Sequence, residues 1–230
     1  LVSTQKMSLA GTRLSYQLAE IRSLHFSLLR DPLLLTRMRA QRDRTGLPSL
    51  NDTVEMKEEI ARIIRRYASV RSIILIGGDG QILDPIYAAE PYRSAILDDP
   101  EYKVFLSSGM NGRFSVPSAF PVLNGPAYET RNTITYYGRF YDSETYEPLG
   151  AVAINVAKGS LTGELEQLFE TTFSAAWVVD EQGSVIVRTG DAASLDPKDV
   201  PASGSAALAG VPYVAYHLAL TEYPNWTLKG

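Results

Sequence analysis

The sequence predicts an α+β fold in which a long N-terminal helix precedes two tandem modules, each built on an antiparallel sheet. Two near-copies of one pattern carry that reading: "SIILIGGDGQIL" at residues 72–83 and "AAWVVDEQGSVIV" at 175–187. Each is an apolar run, then a polar turn with Gly80 or Gly183 at the matching place, then a second apolar run, which is the pattern of strand, tight turn and strand. The third observation is the spacing of Leu14, Leu18, Ile21, His25 and Leu28 at steps of four and three, an amphipathic helix with a single apolar stripe.

Taken in order, the elements group into a kinked N-terminal helix over 1–49, a larger module over 50–160 and a smaller one over 161–230. His25 lies on the apolar stripe and reads as a packed side chain without a functional role. The stripe itself serves either packing within the chain or a parallel homodimer. Asp31-Pro32 interrupts the helical hydrogen bonding, so the helix restarts there with Asp31 as cap and Pro32 in the first turn. On the second section Arg37, Arg39, Arg42 and Arg44 read as a solvated basic face. "TGLPSLND" is loop chemistry, and Asp52 with Glu55 three residues on reads as a capping box. The helix that follows places Val54, Ile60, Ile63, Ile64 and Tyr67 near one face and leads into "SIILI".

After the first hairpin, "DDPEYKVFLSSG" is helical, and "MNGRFSVPSAFPVLNGPAYETRN" reads as a long irregular loop because Pro117, Pro121, Pro126, Gly112 and Gly125 break regular elements. A hairpin with strands near 133–141 and 150–156 completes the first sheet. A helix over "GSLTGELEQLF" then leads to the second copy, and "VPYVAYHLALTEYPNWTLKG" closes the chain as strand, turn and strand, with Trp226 as a packing residue.

Composition bounds the function. With 230 residues and 45% hydrophobic content the chain is globular, and its net charge of −4 gives no field to draw it to nucleic acid. Charge is uneven, +5 over residues 1–70 and −9 over 71–230. Without cysteine there are no disulfides, thiolate nucleophiles or Cys-ligated metals. "IGGDG" lacks the Lys-Ser/Thr of a phosphate-binding loop, the two histidines supply no metal set, and no Ser sits in a Gly-x-Ser-x-Gly context. The expectation is therefore no catalytic residue, no metal and no cofactor.

With its helix, larger sheet module and smaller sheet module in tandem, the chain resembles the double Cache (dCache) sensor domains, built from PAS-like modules. The resemblance rests on "SIILIGGDGQIL", "GRFYDSETYEPLGAVAINV" and "AAWVVDEQGSVIV" in that order. It implies the extracytoplasmic, non-catalytic input domain of a membrane-anchored receptor, a two-component sensor histidine kinase by the similarity of "YDSETYEPLGAVAINV" to such kinases of Gram-positive bacteria. The alternatives are a chemoreceptor ectodomain and a module that reads a solute-loaded extracellular binding protein. The chain, which starts at Leu1 and stops after "NWTLKG", is then expected to be a fragment between two membrane spans of a homodimeric receptor.

For a sensor, alternation on strand 133–141 turns Thr135, Tyr137, Arg139 and Tyr141 to one face and Ile134, Tyr136, Gly138 and Phe140 to the other. On the partner strand Ala151, Ala153 and Asn155 form a small face and Val152, Ile154 and Val156 a bulky one. The bulky faces are expected to pack on the long helix. Tyr137, Arg139 and Asn155 then look into a pocket roofed by the 110–131 segment, with Arg113, Phe114, Tyr128 and Arg131 as further ligand contacts. Arg suits a carboxylate and Tyr a sugar, so the expected ligand is a carbohydrate or a carboxylate. Amino-acid-binding members of the family carry a Tyr, Arg, Trp, Tyr cluster after the first hairpin, whereas this chain has no Trp between residues 84 and 176.

Overall fold

A computed structural model describes residues 2–43, 50–84, 88, 92–115, 133–169, 175–190, 196, 198–199, 204–208, 211–220 and 226–229. The chain divides into two compact units, Ile21–Ala157 and Leu1–Glu20 with Lys158–Gly230. Helix α1, Val2–Leu28, contributes its first part to the smaller unit and its last turns to the larger. Its apolar stripe is buried within the single chain: Leu14, Leu18, Ile21 and Leu28 are at most 2% exposed. Packing within the chain therefore accounts for that stripe.

In the larger unit Asp31 caps α2, Pro32–Arg42, as its spacing predicted: its carboxylate accepts from the backbone N–H groups of Leu33 and Leu34 at 3.0 and 3.1 Å. Helix α3 spans Leu50–Ile64, so it begins two residues ahead of Asp52. Asp52 is thus a first-turn carboxylate, suited to the helix dipole, and not the cap; it takes a hydrogen bond from Arg37. The buried face of α3 is Met56, Ile60 and Ile63, while Val54 is 46% exposed, because steps of four and three from Met56 leave Val54 on the solvent side.

The basic run on α2 is not simply solvated. Arg39 holds both carboxylate oxygens of Asp142 at 2.6 Å, Arg42 pairs with Glu147 at 2.7 Å, and Arg37 pairs with Asp52. Arg39 and Arg42 find acids that sequence spacing cannot display, because these lie about a hundred residues away on a hairpin, whereas Arg37 reaches Asp52 on the next helix. Arg44 lies outside the described residues.

Four antiparallel strands form the sheet of this unit in the order β1–β4–β3–β2: β1 Val70–Gly77, β2 Gly112–Phe114, β3 Thr133–Tyr141 and β4 Pro148–Ala157. The second arm of the first hairpin is only a bridge, Ile76 to Ile82. Part of the expected irregular segment is regular, since Gly112–Phe114 forms an edge strand on β3. Helices α4, Tyr92–Leu97, and α5, Pro100–Ser107, connect β1 to β2.

The smaller unit repeats the plan. Helix α6, Lys158–Phe169, buries Leu161 and Leu165 and leads to a sheet ordered β6–β5–β10–β9. Its strands are β5 Ala175–Val179, β6 Val185–Gly190, β9 His217–Ala219 and β10 Thr227–Lys229. A separate hairpin pairs β7, Gly204–Leu208, with β8, Val211–Ala215. Trp226 is buried, as its packing role requires. Both copies of the hairpin turn place their glycine in the left-handed region at φ +78°, Gly80 in one and Gly183 in the other, a backbone that favours glycine. The turn carboxylates act alike too: Asp79 accepts from Gln81 N–H and Asp180 from Gln182 N–H, each at 3.0 Å. The internal repeat is thus visible at the level of single hydrogen bonds.

Candidate functional site

Residues directly opposite in antiparallel strands project to one face, so the register assigns each side chain to a side. Thr135 faces Asn155, Tyr137 faces Ala153 and Arg139 faces Ala151; Arg113 of β2 joins them opposite Tyr137. Arg113, Tyr137, Arg139 and Asn155 therefore share a face. Phe114 does not: it pairs with Tyr136, on the other face, and meets its ring edge-on at 4.9 Å between centroids. Tyr128 and Arg131 lie outside the described residues.

On the shared face the small Ala151 and Ala153 make room for aromatic rings. Tyr137, wholly buried, stacks on Phe105 at 5.8 Å and tilts against Tyr102 at 5.4 Å. Those two residues sit on α5, whose start repeats the Asp-Pro device of α2. Asp99 accepts from Tyr102 N–H at 3.0 Å with Pro100 at the first helical position. The same Asp99 oxygen takes the Tyr137 hydroxyl at 3.3 Å. Sequence reading missed Asp99, Tyr102 and Phe105, although the Asp-Pro pair and the three-residue spacing of the two aromatics were signal enough.

Two nitrogens of the Arg139 guanidinium are held by backbone carbonyls. Nε donates to the Met110 carbonyl at 2.9 Å and Nη2 to the Leu106 carbonyl at 2.8 Å, while the guanidinium lies 5.4 Å from the centre of the Phe105 ring. Arg113 pairs with Glu101 at 3.2 Å. Deeper on this face a buried polar row crosses three strands: Thr135 Oγ1 donates to Asn155 Oδ1 at 2.7 Å, and Asn155 Nδ2 donates to Ser72 Oγ at 2.7 Å. Ser115, at the end of β2, receives the Thr135 N–H on its hydroxyl at 3.1 Å. Thr133 Oγ1, also buried, has no partner among the described residues. Such a row of hydroxyl and amide groups offers hydrogen bonds in both directions.

Burial governs the protonation of these groups. It pushes the Tyr102 and Tyr136 hydroxyls up to about 12 and drives Tyr137 higher still, where the neighbouring Asp99 adds to the effect. All three stay protonated donors at neutral pH. Among the described residues no group of three or more His, Asp or Glu is placed to hold a metal, and no helix is long and apolar enough to cross a membrane.

The opposite face meets α1. Ile134, Tyr136 and Gly138 stand opposite Val156, Ile154 and Val152, the bulky set, and His25 packs against Tyr136 at 5.5 Å between centroids. A side chain at Gly138 would overlap the His25 ring. The expected division of the sheet into a helix-packing face and a small-residue face therefore holds.

This fold recurs in solved structures. The ligand-binding domain of the Pseudomonas aeruginosa chemoreceptor PctC, in complex with GABA, superposes with a TM-score of 0.61 over 98% of this chain and 94% of its own, at 14% identity. The fold is that of Cache-type ligand-binding domains. The Pseudomonas fluorescens chemoreceptor CtaA ligand-binding domain, in complex with L-serine, gives 0.59 over 98% and 91% at 14% identity. The extracellular domain of rpHK1S-Z16, described as a histidine kinase, gives 0.62 over 99% and 92% at 10% identity. No protein-family model matches the sequence, and no curated protein matches it. This Cache-type fold is thus carried by a sequence with little identity to the structures that share it.

Proposed function

We propose that the chain is the extracytoplasmic, non-catalytic input domain of a membrane-anchored sensor and that its larger unit binds a small molecule. The observation that carries this reading is the sheet face on which Arg113, Tyr137, Arg139 and Asn155 converge, in a fold shared over nearly the whole chain with ligand-binding domains. Tyr128 and Arg131, which lie in sequence between Ser115 and Thr133, complete the proposed contacts. Phe114, on the other face, packs on Tyr136 and is not among the proposed contacts.

The ligand is a carbohydrate or a small carboxylate. Hydroxyl and amide groups on Ser72, Thr135 and Asn155 match sugar hydroxyls, and the arginines match a carboxylate. Amino acids belong in the screen because PctC and CtaA were solved with GABA and L-serine. The parent protein is a sensor histidine kinase, a reading favoured by the likeness to the rpHK1S-Z16 extracellular domain; a chemoreceptor is the second reading, favoured by PctC and CtaA. The domains expected at 50–160 and 161–230 act as membrane-distal and membrane-proximal modules, and the receptor works as a homodimer. Signalling is a shift between two arrangements of β3 and α1, which requires only that the ligand bind one better than the other.

A thermal-shift screen of sugars, carboxylates and amino acids tests the ligand-binding reading. A true ligand at a hundred times its Kd stabilises the fold by about 2.7 kcal/mol. If no metabolite shifts the midpoint while a solute-loaded binding protein associates with the chain, the domain reads a protein partner instead. The parent reading frame decides the output, since a kinase requires a phosphoacceptor-histidine region.

A further inference from the structure

Away from its sheet, the larger unit carries a groove of about 620 Å³ between the first turn of α2 and one side of α3. Clefts of this size hold small-molecule ligands. Glu55, Glu58, Glu59, Arg62 and Arg65 line it at steps of three and four, which makes them one stripe along α3, and Leu33 with Ala61 adds an apolar surface. Arg65 directly follows α3, but its N–H still donates to the Ala61 carbonyl at 3.1 Å, so the helical spacing extends to it. The stripe is acidic in its first half and basic in its second.

That order suits the helix dipole, and ion pairs use most of the charges. Arg62 gives two hydrogen bonds to the Glu59 carboxylate, and Glu55 lies 3.6 Å from Arg37. Two charges are left over. Glu58 stands four residues before Arg62, the spacing of a helical ion pair, yet the Arg62 guanidinium is turned to Glu59. Among the described residues neither Glu58 nor Arg65 has an ion-pair partner, and both are exposed. The acidic end holds a further mismatch, since Glu59 also shares a hydrogen bond with the Asp31 carboxyl; burial and then Glu59 raise the Asp31 pKa. Negative charge is thus in excess at one end of the groove, and a guanidinium is spare at the other.

Seven residues separate Glu58 from Arg65, two helical turns or about 10.5 Å along the axis. In a free amino acid the ammonium and the carboxylate share one carbon, so a single molecule cannot reach both residues. An extended peptide covers about 3.3–3.6 Å per residue, and three residues bring its two termini to about 10 Å. We propose that the groove between α2 and α3 binds a short peptide of about three residues with free termini. Its ammonium donates to Glu58, its carboxylate accepts from the Arg65 guanidinium, and small apolar side chains lie against Leu33 and Ala61. The site is separate from the sheet face and does not rest on the reading of that face.

Trialanine is the probe; free alanine, N-acetyl-trialanine and trialanine amide remove its length, its ammonium and its carboxylate in turn. In proton–nitrogen correlation spectra trialanine is expected to shift the backbone amide signals of Leu33 and Ala61 saturably, and free alanine is not. Capping either terminus should weaken binding by about threefold to tenfold, between the scale of an exposed ion pair and that of a charge-assisted hydrogen bond. Glu58→Gln should weaken trialanine by a like factor and N-acetyl-trialanine no further, and Arg65→Gln should stand in the same relation to trialanine amide. Both positions are exposed, and unchanged signals away from the groove verify that each variant keeps the fold. Absence of a saturable shift at Leu33 and Ala61, or alanine binding as tightly as trialanine, overturns the peptide site. Capped peptides that bind as tightly as trialanine, or variants that weaken capped and uncapped peptides alike, overturn the assignment of the two termini to Glu58 and Arg65.

Discussion

His25 on α1 and Arg139 on β3 are joined by a 2.9 Å hydrogen bond from the imidazole Nε2 to the Arg139 carbonyl oxygen. Because a carbonyl only accepts, Nε2 carries the proton, and Nδ1 is left to accept the Tyr136 hydroxyl at 3.3 Å. Arg139 thus presents its carbonyl to the long helix while its guanidinium lies over Phe105 on the opposite face. One residue touches both the proposed ligand face and α1.

This arrangement requires a neutral imidazole, and burial lowers the His25 pKa. A group whose folded-state pKa is depressed stabilises the fold above its unfolded value of about 6.5 and loses that contribution as pH falls below it. Urea midpoints measured from pH 7.5 to 5 should therefore decline, and His25→Gln, which keeps a donor but cannot be protonated, should flatten the decline. Asp31, whose carboxyl is raised by burial and by Glu59, works in the opposite direction in the acid range, so the comparison with the variant isolates the histidine. An equal slope in both proteins refutes the assignment.

Gly138 tests the same contact by packing. Gly138→Ala drives a methyl group into the His25 ring, and overpacking of this kind costs about 1–3 kcal/mol. Combining it with His25→Ala should cost less than the sum of the two single changes, because the second removes the obstacle. Strict additivity in urea unfolding shows that the two residues do not meet.

The Arg39–Asp142 pair should be the strongest of the α2 ion pairs. Both oxygens of a nearly buried carboxylate are engaged, and the Arg39 guanidinium, with the Glu144 and Thr145 N–H groups, holds Asp142 far below the usual carboxylate range. Asp142→Asn is expected to lower the urea midpoint at pH 7 and to lose its effect as pH falls through the acid range where wild-type Asp142 itself protonates. A double-mutant cycle with Arg39→Met should show coupling between the two positions. Arg42→Met, at a more exposed pair, serves as the smaller comparison.

The elements above that sequence pattern fixed are those governed by local physics. Asp31 with Pro32 announced a helix start, Gly80 and Gly183 announced the two turns, and alternation on 133–141 sorted Tyr136 from Tyr137. Pairings across the chain were not legible. Nothing near Arg39 in sequence points to Asp142, and the "ASGSAAL" run gave no sign of β7 because small residues carry little strand pattern. The same limit hid the partners of Tyr137: alternation supplied its direction, but only the folded chain brings Asp99, Tyr102 and Phe105 around it.

Asn155 should be intolerant of change for a reason separate from ligand binding. It is wholly buried, and its amide joins Thr135 to Ser72. Asn155→Ala leaves both hydroxyls without that partner, at about 1–3 kcal/mol for a buried polar group left unsatisfied, with a cavity in addition. Asn155→Ala together with Ser72→Ala and Thr135→Val, which removes every member of the row, should recover part of that loss. A triple variant less stable than the single one implies that packing, and not hydrogen bonding, is what Asn155 supplies.

Arg139 and Tyr137 separate recognition from support. Tyr137→Phe removes one hydroxyl whose partner is Asp99, keeps the ring between Phe105 and Tyr102, and should cost about 1 kcal/mol of stability. Arg139→Ala removes the guanidinium from the Met110 and Leu106 carbonyls but leaves the backbone bond to His25 in place, so α1 remains docked. With a ligand found by the thermal-shift screen, Arg139→Ala should weaken binding by about tenfold or more if a carboxylate is recognised there, and Arg139→Lys should recover little because Lys lacks the planar fork. In the full-length receptor, His25→Ala should give the complementary result: ligand affinity changes little, whereas signal output falls because β3 has lost its bond to the helix. Loss of output with unchanged affinity in Arg139→Ala, or loss of affinity alone in His25→Ala, reverses the two roles and removes this face as the site of recognition.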